Sequence, residues 1–374
     1  MVLDIAQMIG GRIDELRHAR GLSVADVAEL IGVTRQTMSN YIAGRQVISS
    51  SDLAVLARMF GKSLDFFLGD DSYENMTLMF RAEKADSVPD EILGAVLQSF
   101  RRYAEALSLA EVKTAFVPPT YSLKLEGKST LTEGDRRAIE EVANRLRSLL
   151  GLEGVFGPDL FMGLEDAGIN IVASPYRASI WAMSAYSSRL GSFIWVNDCD
   201  SISEERKIFS LIHELGHLVL HRENYIDAGP ELRYTSRRNS MQERAADHFA
   251  GCFLLPRKRL SADPSLKGVV TLNRVVAAKN RYRVSVQSLI MALGNYGLIS
   301  RQESKSLFAT LNRRMGGLTK EPKPLPHFEK DQKLKAIVQQ LYLDGAVGIS
   351  KVAELMGCSL MDARRSAKEW GVGS

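Results

Sequence analysis

Five residues near the middle of the chain restrict its fold and chemistry more than any other feature. They are His213-Glu214-Leu215-Gly216-His217, set in the helical, largely apolar stretch Ser203–His221. Residues four apart project from one helix face, so both imidazoles can hold a single ion. Glu214 neighbours that ion without having to bind it, which suits a base for an attacking water. A catalytic zinc site takes a third protein ligand and keeps one position open. Glu243, on the next helical stretch Met241–Leu255, is the residue of choice. Asp247, one turn later, can accept a hydrogen bond from the far nitrogen of His213 or His217. His221, Glu223 and Asp227 compete for the third position. A further turn of a straight helix carries His221 about 6 Å along the axis, which favours a structural or ligand-supporting role for it. The predicted cofactor is Zn2+, although two histidines and a glutamate accept other divalent ions.

A chain of 374 residues suggests two or three domains. A hydrophobic content of 45% and a charged content of 25% are those of a soluble globular protein. No apolar run reaches the roughly 18–20 residues that span a bilayer, and Met1–Gly10 lacks a secretory pattern. Cys199, Cys252 and Cys358 are odd in number and far apart, which argues against a disulfide framework and predicts a cytoplasmic protein. Net charge is +4, but Arg257–Lys320 holds thirteen Lys/Arg against two acids, Asp263 and Glu303. Such a stretch is either a phosphate-attracting face or a solvated helical surface.

The pattern divides into five parts: 1–70, 71–131, 132–317, 318–330 and 331–374. Residues 1–70 read as five short helices. Ser23 caps the second, Gly32 breaks it, and Thr34 caps a third, Arg35–Ala43, which Gly44 ends. Ser50–Phe60 and Ser63–Leu68 complete the set. Residues 71–131 form a connecting region with an amphipathic helix at Asp90–Leu107, and Val117-Pro118-Pro119-Thr120 marks its boundary. Thr132–Leu150 is a helix. Ile169–Ser174, Ile180–Tyr186 and Ser192–Asn197 read as strands. Thr271–Leu298 holds two more helices. Pro322, Pro324 and Pro326 make 318–330 a stiff linker, and 331–374 is a last helical segment.

In the first region, Arg35, Gln36 and Thr37 open the second helix of a helix–glycine turn–helix unit, with Asn40 one turn on. Those positions face base edges in the major groove, where arginine pairs with guanine and Gln or Asn with adenine. Ser39, Tyr41 and Arg45 are candidate phosphate contacts. The region is not basic as a whole, with seven Lys/Arg against eight Asp/Glu. Leu22-Ser23-Val24-Ala25-Asp26-Val27-Ala28, Ile31-Gly32-Val33-Thr34-Arg35-Gln36-Thr37-Met38-Ser39-Asn40-Tyr41 and Gly44 resemble the Cro/CI repressor (XRE-type) helix-turn-helix family over about 60 residues. The resemblance implies binding to double-stranded DNA, usually as a homodimer on a palindrome. The sequence departs from it at Val24, where many members carry a glutamine that touches phosphate.

A second resemblance is to the ImmA/IrrE metallopeptidases, over roughly 165–300. Its motifs are Ile194-Trp195-Val196-Asn197, Glu205–Ile212 leading into the histidine pair and on to Leu220-His221, Glu243-Arg244-Ala245-Ala246-Asp247-His248-Phe249-Ala250, and Leu254-Leu255-Pro256. Asp247 stands where many members have asparagine. The resemblance places the third ligand at Glu243 as well. It implies cleavage of a peptide bond in a partner protein, commonly a Cro/CI-type repressor, after a stress or mobile-element signal. Glu214 would then deprotonate the attacking water and pass the proton to the leaving amine, with Tyr225, Tyr234 or His221 steadying the oxyanion. The expected fold is α+β and mainly α: a five-helix helix-turn-helix domain, a zincin-like domain with a small antiparallel sheet, and a helical C-terminal region.

Three further expectations complete the reading. The Cys199 thiolate, just before the metal-binding helix, could occupy the open metal position and hold the enzyme off; the ordinary alternative is a loop cysteine. Lys279–Val286 and Gly348–Ala367 could each form a further helix-turn-helix unit. Two non-hydrolytic functions compete with the peptidase: a transcription regulator whose peptidase fold only senses, and an antitoxin-like protein that acts by binding.

Overall fold

The computed structural model describes residues 5–20, 22–60, 67, 79–82, 90–112, 118–121, 123–127, 129–177, 180–187, 191–222, 226–227, 240–317 and 320–371. They fall into two compact units, Met1–Met76 with Gly229–Leu232, and Thr77–Ala228 with Arg233–Ser374.

The first unit contains α1 (Ile5–Ala19), α2 (Val24–Ile31), α3 (Arg35–Ile42) and α4 (Ser50–Phe60). Local chemistry sets the turn between α2 and α3. Ser23 and Asp26 exchange hydrogen bonds in a capping box that starts α2. Gly32 ends α2 at φ 73°, a left-handed conformation that glycine adopts without steric cost. The Thr34 side chain then caps α3. Ile9, Ile13, Val27, Met38, Leu53, Leu56 and Phe60 are buried together, with Val24 packed at their edge. The fifth helix expected over Ser63–Leu68 lies outside the described residues, except that Phe67 is buried in this core.

The second unit begins with β1 (Met79–Ala82), α5 (Asp90–Leu109), α6 (Glu133–Leu149) and α7 (Asp159–Asp166). Then come β2 (Asn170–Ser174), β3 (Ala182–Ser187), β4 (Gly191–Asn197), α8 (Glu204–Leu220), β5 (Ile226–Asp227) and α9 (Ser240–Leu254). The described sheet has the order β2-β4-β3-β1-β5. It is mixed, whereas an antiparallel sheet was expected: β4 is antiparallel to β3 but parallel to β2. The cause is the chain path. β3 sets off from the end of β2 one strand away, and β4 returns in the space between them, along β2's own direction. All seven residues of β4 are buried. Helix α8 lies against β3, β4 and α9 and is itself buried almost throughout, its charged residues Glu204, Glu205, Lys207 and Glu214 included.

Beyond α9 come α10 (Arg257–Ala262), α11 (Leu272–Tyr282), α12 (Val286–Asn295), α13 (Arg301–Met315), α14 (Gln332–Leu343), α15 (Ile349–Met356) and α16 (Leu360–Glu369). The sequence reading did not include α13. The expected stiff linker is, over its described residues, a docked segment. Lys330 is buried, with its ammonium 2.7 Å from Asp198 and 2.8 Å from Glu204, and the Leu325 amide donates to Glu205. Helices α15 and α16 are joined as α2 and α3 are: Gly357 ends α15 at φ 62° and Ser359 caps α16. Among the described residues, four of the thirteen basic side chains of 257–320 make internal ion pairs: Lys279 on Glu205, Arg257 on Glu140, Arg281 on Asp263 and Arg283 on Asp159. No helix among the described residues is long and apolar enough to cross a membrane.

Candidate metal centre

Ser203 caps α8, and Glu204 and Glu205 occupy its first turn, where negative charge suits the helix dipole. His213 and His217 follow on one face and are buried. A close approach of α9 brings in the third group. A β-carbon added at Gly216 would lie 2.9 Å from the buried Phe249 ring and 3.4 Å from Ala246 Cα, so only glycine lets the helices meet at this point. Glu243, in the first turn of α9, thereby faces both histidines.

The two Nε2 atoms are 3.0 Å apart, and Glu243 Oε2 lies 3.4 Å from His213 Nε2 and 3.6 Å from His217 Nε2. Ligands bound at 2.0–2.1 Å in a tetrahedron stand about 3.3–3.4 Å apart, so these three edges bracket the value for a zinc-sized ion. His213, His217 and Glu243 form one of two described groups whose ligand atoms come within 4.8 Å of one another. The other, Asp198, Glu204 and His327, already holds the ammonium groups of Lys207 and Lys330.

The far nitrogens of both histidines are held. His213 Nδ1 is 3.0 Å from Asp247 Oδ1, the support expected of that residue. His217 Nδ1 is 2.9 Å from His221 Nδ1, so one of the two rings carries the proton between them. Such partners fix the tautomer that presents Nε2 to a metal. His221 is therefore placed to support a ligand. Burial opposes a charge on His213, but the Asp247 and Glu243 carboxylates prevail and raise its pKa to about 10. The cluster thus draws a positive charge, which a divalent cation would supply.

Glu214 is buried beside the pair, and Ser184 Oγ on β3 donates to its Oε2 at 2.5 Å. The sequence reading missed Ser184. Its signal was a hydroxyl flanked by Met183 and Ala185 in a strand that was otherwise apolar at its centre. Cys199 does not join the ligand set; its Sγ is 3.2 Å from Ser201 Oγ. Burial against His217 accounts for His221, and Tyr225, Tyr234 and Glu223 lie outside the described residues, as does the side chain of Asp227.

In the first unit, Arg35, Gln36, Ser39 and Arg45 are exposed, and Thr37 and Asn40 half-buried. Gln36 Nε2 donates to Asn40 Oδ1 at 3.3 Å, linking two of the expected base readers. Tyr41 corrects the expectation of a phosphate contact: its ring is buried in the core and its hydroxyl donates to Asp52 Oδ2 at 3.1 Å.

Comparison with known proteins gives two family matches. Residues 164–293 match the M78 peptidase family, described as the IrrE N-terminal-like domain, and residues 9–65 match a helix-turn-helix domain. The chain therefore carries both domains implied by its motifs. No curated protein matches it. Among solved structures, Bacillus thuringiensis PlcR in complex with the peptide PapR7 and DNA is 10% identical with a TM-score of 0.18, over 97% of this chain and 86% of that one. The apo form of the competence regulator ComR from Streptococcus vestibularis is 12% identical with a TM-score of 0.17, over 91% of this chain and 99% of that one. Scores this low carry no argument about fold or function.

Proposed function

We propose that this chain, a helix-turn-helix domain joined to an IrrE N-terminal-like domain, is a DNA-binding metallopeptidase that cleaves a partner protein, with a Cro/CI-type repressor as the first candidate. Residues 1–70 would read DNA and 132–317 would hydrolyse, in a cytoplasmic setting. The observation that carries the reading is the meeting of His213, His217 and Glu243 around one point, with Glu214 buried beside them. Those three residues would hold a divalent ion, which when bound supplies Lewis acidity toward a carbonyl and toward water.

The chain's own residues supply the rest. Glu214, held by the Ser184 hydroxyl, takes the proton of the attacking water and passes it to the leaving amine. Asp247 and His221 keep the imidazoles oriented. Burial of the histidine pair excludes bulk water from the back of the site.

The test is Glu214→Gln in the zinc-loaded chain, incubated with a repressor substrate. Cleavage should fall about 10²–10⁴-fold, the usual worth of a positioned acid–base group, with metal content unchanged. A variant that cleaves as well as the parent would remove the peptidase reading. If cleavage is absent in both and regulation persists, the chain is a non-proteolytic regulator. For the DNA-binding role, Gln36→Ala with Asn40→Ala should weaken operator binding by about 1–3 kcal/mol for each base-reading side chain removed, measured by anisotropy at fixed salt.

A further inference from the structure

Beside the metal centre the described residues line a half-open cavity of about 790 Å³. That lies in the range of sites that engulf a ligand, about 300–1,000 Å³. One wall is a face of α9 on which Arg244, Asp247, His248 and Gly251 recur at helical spacing. Arg206 and Phe209 of α8, Arg136 of α6 and a polar face of α12 close the other sides. Asp247 ties this cavity to the metal centre, because it lines the wall and also holds His213 Nδ1.

The lining holds three arginines and three carboxylates, and the two sets have different partners. Arg136, Arg206 and Arg244 enter from three different helices. Arg136 is anchored by the Asn295 side-chain oxygen at 3.2 Å and Arg244 by the Ser129 carbonyl, both neutral partners. The Arg206 guanidinium lies 3.5 Å above the centre of the Trp181 ring, which holds it flat. The carboxylates are committed elsewhere: Glu205 and Glu321 face the buried Lys279, and Asp247 faces His213. Burial first, and then the Arg136 charge, push the pKa of His248 down to about 4.

We propose that this cavity receives acidic side chains of the polypeptide being cleaved, and so selects substrates with Asp or Glu near the scissile bond. The proposal rests on the peptidase reading. Guanidinium groups pair with carboxylates through two parallel hydrogen bonds, which makes arginine the suitable lining for such a pocket. A polypeptide fits better than a free anion. The wall includes Asp247, which also holds His213 of the metal centre, and Leu131, Phe209 and Met291 add apolar lining that suits a chain segment.

The test uses the zinc-loaded full chain and three fluorogenic peptides of equal length carrying Glu-Glu, Gln-Gln or Lys-Lys at the centre. The Glu-Glu peptide should exceed Gln-Gln in kcat/KM by about tenfold and Lys-Lys by about a hundredfold. Arg136→Glu with Arg244→Glu should reverse that order. Thermal melting and zinc content check that this variant folds; if it does not, Arg244→Gln alone, at an exposed position, should narrow the preference. Equal turnover of all three peptides would overturn the pocket and leave the peptidase standing. Binding to the Glu214→Gln variant, read by anisotropy, separates the other case. Selective binding of Glu-Glu there, with no hydrolysis by the parent, keeps the pocket and removes the peptidase. Displacement of the Glu-Glu peptide by inorganic phosphate alone at millimolar concentration would show a small-anion site and overturn the polypeptide assignment.

Discussion

Helix α8 carries two clusters in which buried basic groups meet acidic partners, roughly two turns apart, and they balance charge by different means. At its first turn Glu204 and Glu205 meet Lys207, Lys279 and Lys330, three lysines with almost no exposed surface. In its middle Glu243 and Asp247 meet His213 and His217. The ammonium groups of the first cluster are fixed to the chain by covalent side chains. The imidazoles of the second can surrender a proton to a metal. One end of the helix is therefore built for permanence, and its middle is built for exchange.

The largest effect expected from breaking this contrast is at Lys279. Replacing it with alanine leaves Glu205 and Glu321 buried without their cation, and breaking such a pair costs about 3–5 kcal/mol. Urea unfolding should show that loss, and added zinc should not restore it; recovery with zinc would mean that the two clusters are interchangeable. Next is Asp247→Ala, which removes a support and no ligand. Losing such a partner weakens metal binding about 10–100-fold, readable by competition with a chelator, whereas global stability should change far less than for Lys279→Ala. A third test, comparable in size to the second, concerns pH. Because the carboxylates around His213 raise its pKa to about 10, the metal-free chain holds that proton at neutral pH. A bound ion must displace it, so the zinc Kd should fall about tenfold per pH unit between pH 6 and 8. Calorimetry in two buffers should count one proton released per ion; a count of zero would contradict the raised pKa.

The sequence made the exchangeable cluster legible and left the permanent one hidden. Two histidines four apart on an apolar helix leave few spatial solutions, and Glu243 follows once a third ligand is required. The first-turn cluster joins Asp198, Glu204, Lys279 and Lys330 from distant parts of the chain, and no local period connects them. Proline content reads 318–330 as a stiff linker, whereas the docking of its described residues depends on the Lys330 ion pairs and on the Leu325 amide. Helix α13 was legible and went unread: Ser300 and Glu303 form a capping box, and Gly316 ends the helix at φ 65°. Tyr41 was misplaced because an aromatic on a short helix can face either solvent or core. Its spacing from Met38 put it inside.

The anchorage of Lys330 has a mechanical meaning. That residue immediately precedes the last three helices, and it grips the opening turn of the helix that bears the histidines. The rise from Glu204 to His213 is only about 14 Å at 1.5 Å per residue. A tug on these helices would load the root of the histidine-bearing helix, much as a rope made fast at the foot of a mast loads the whole spar.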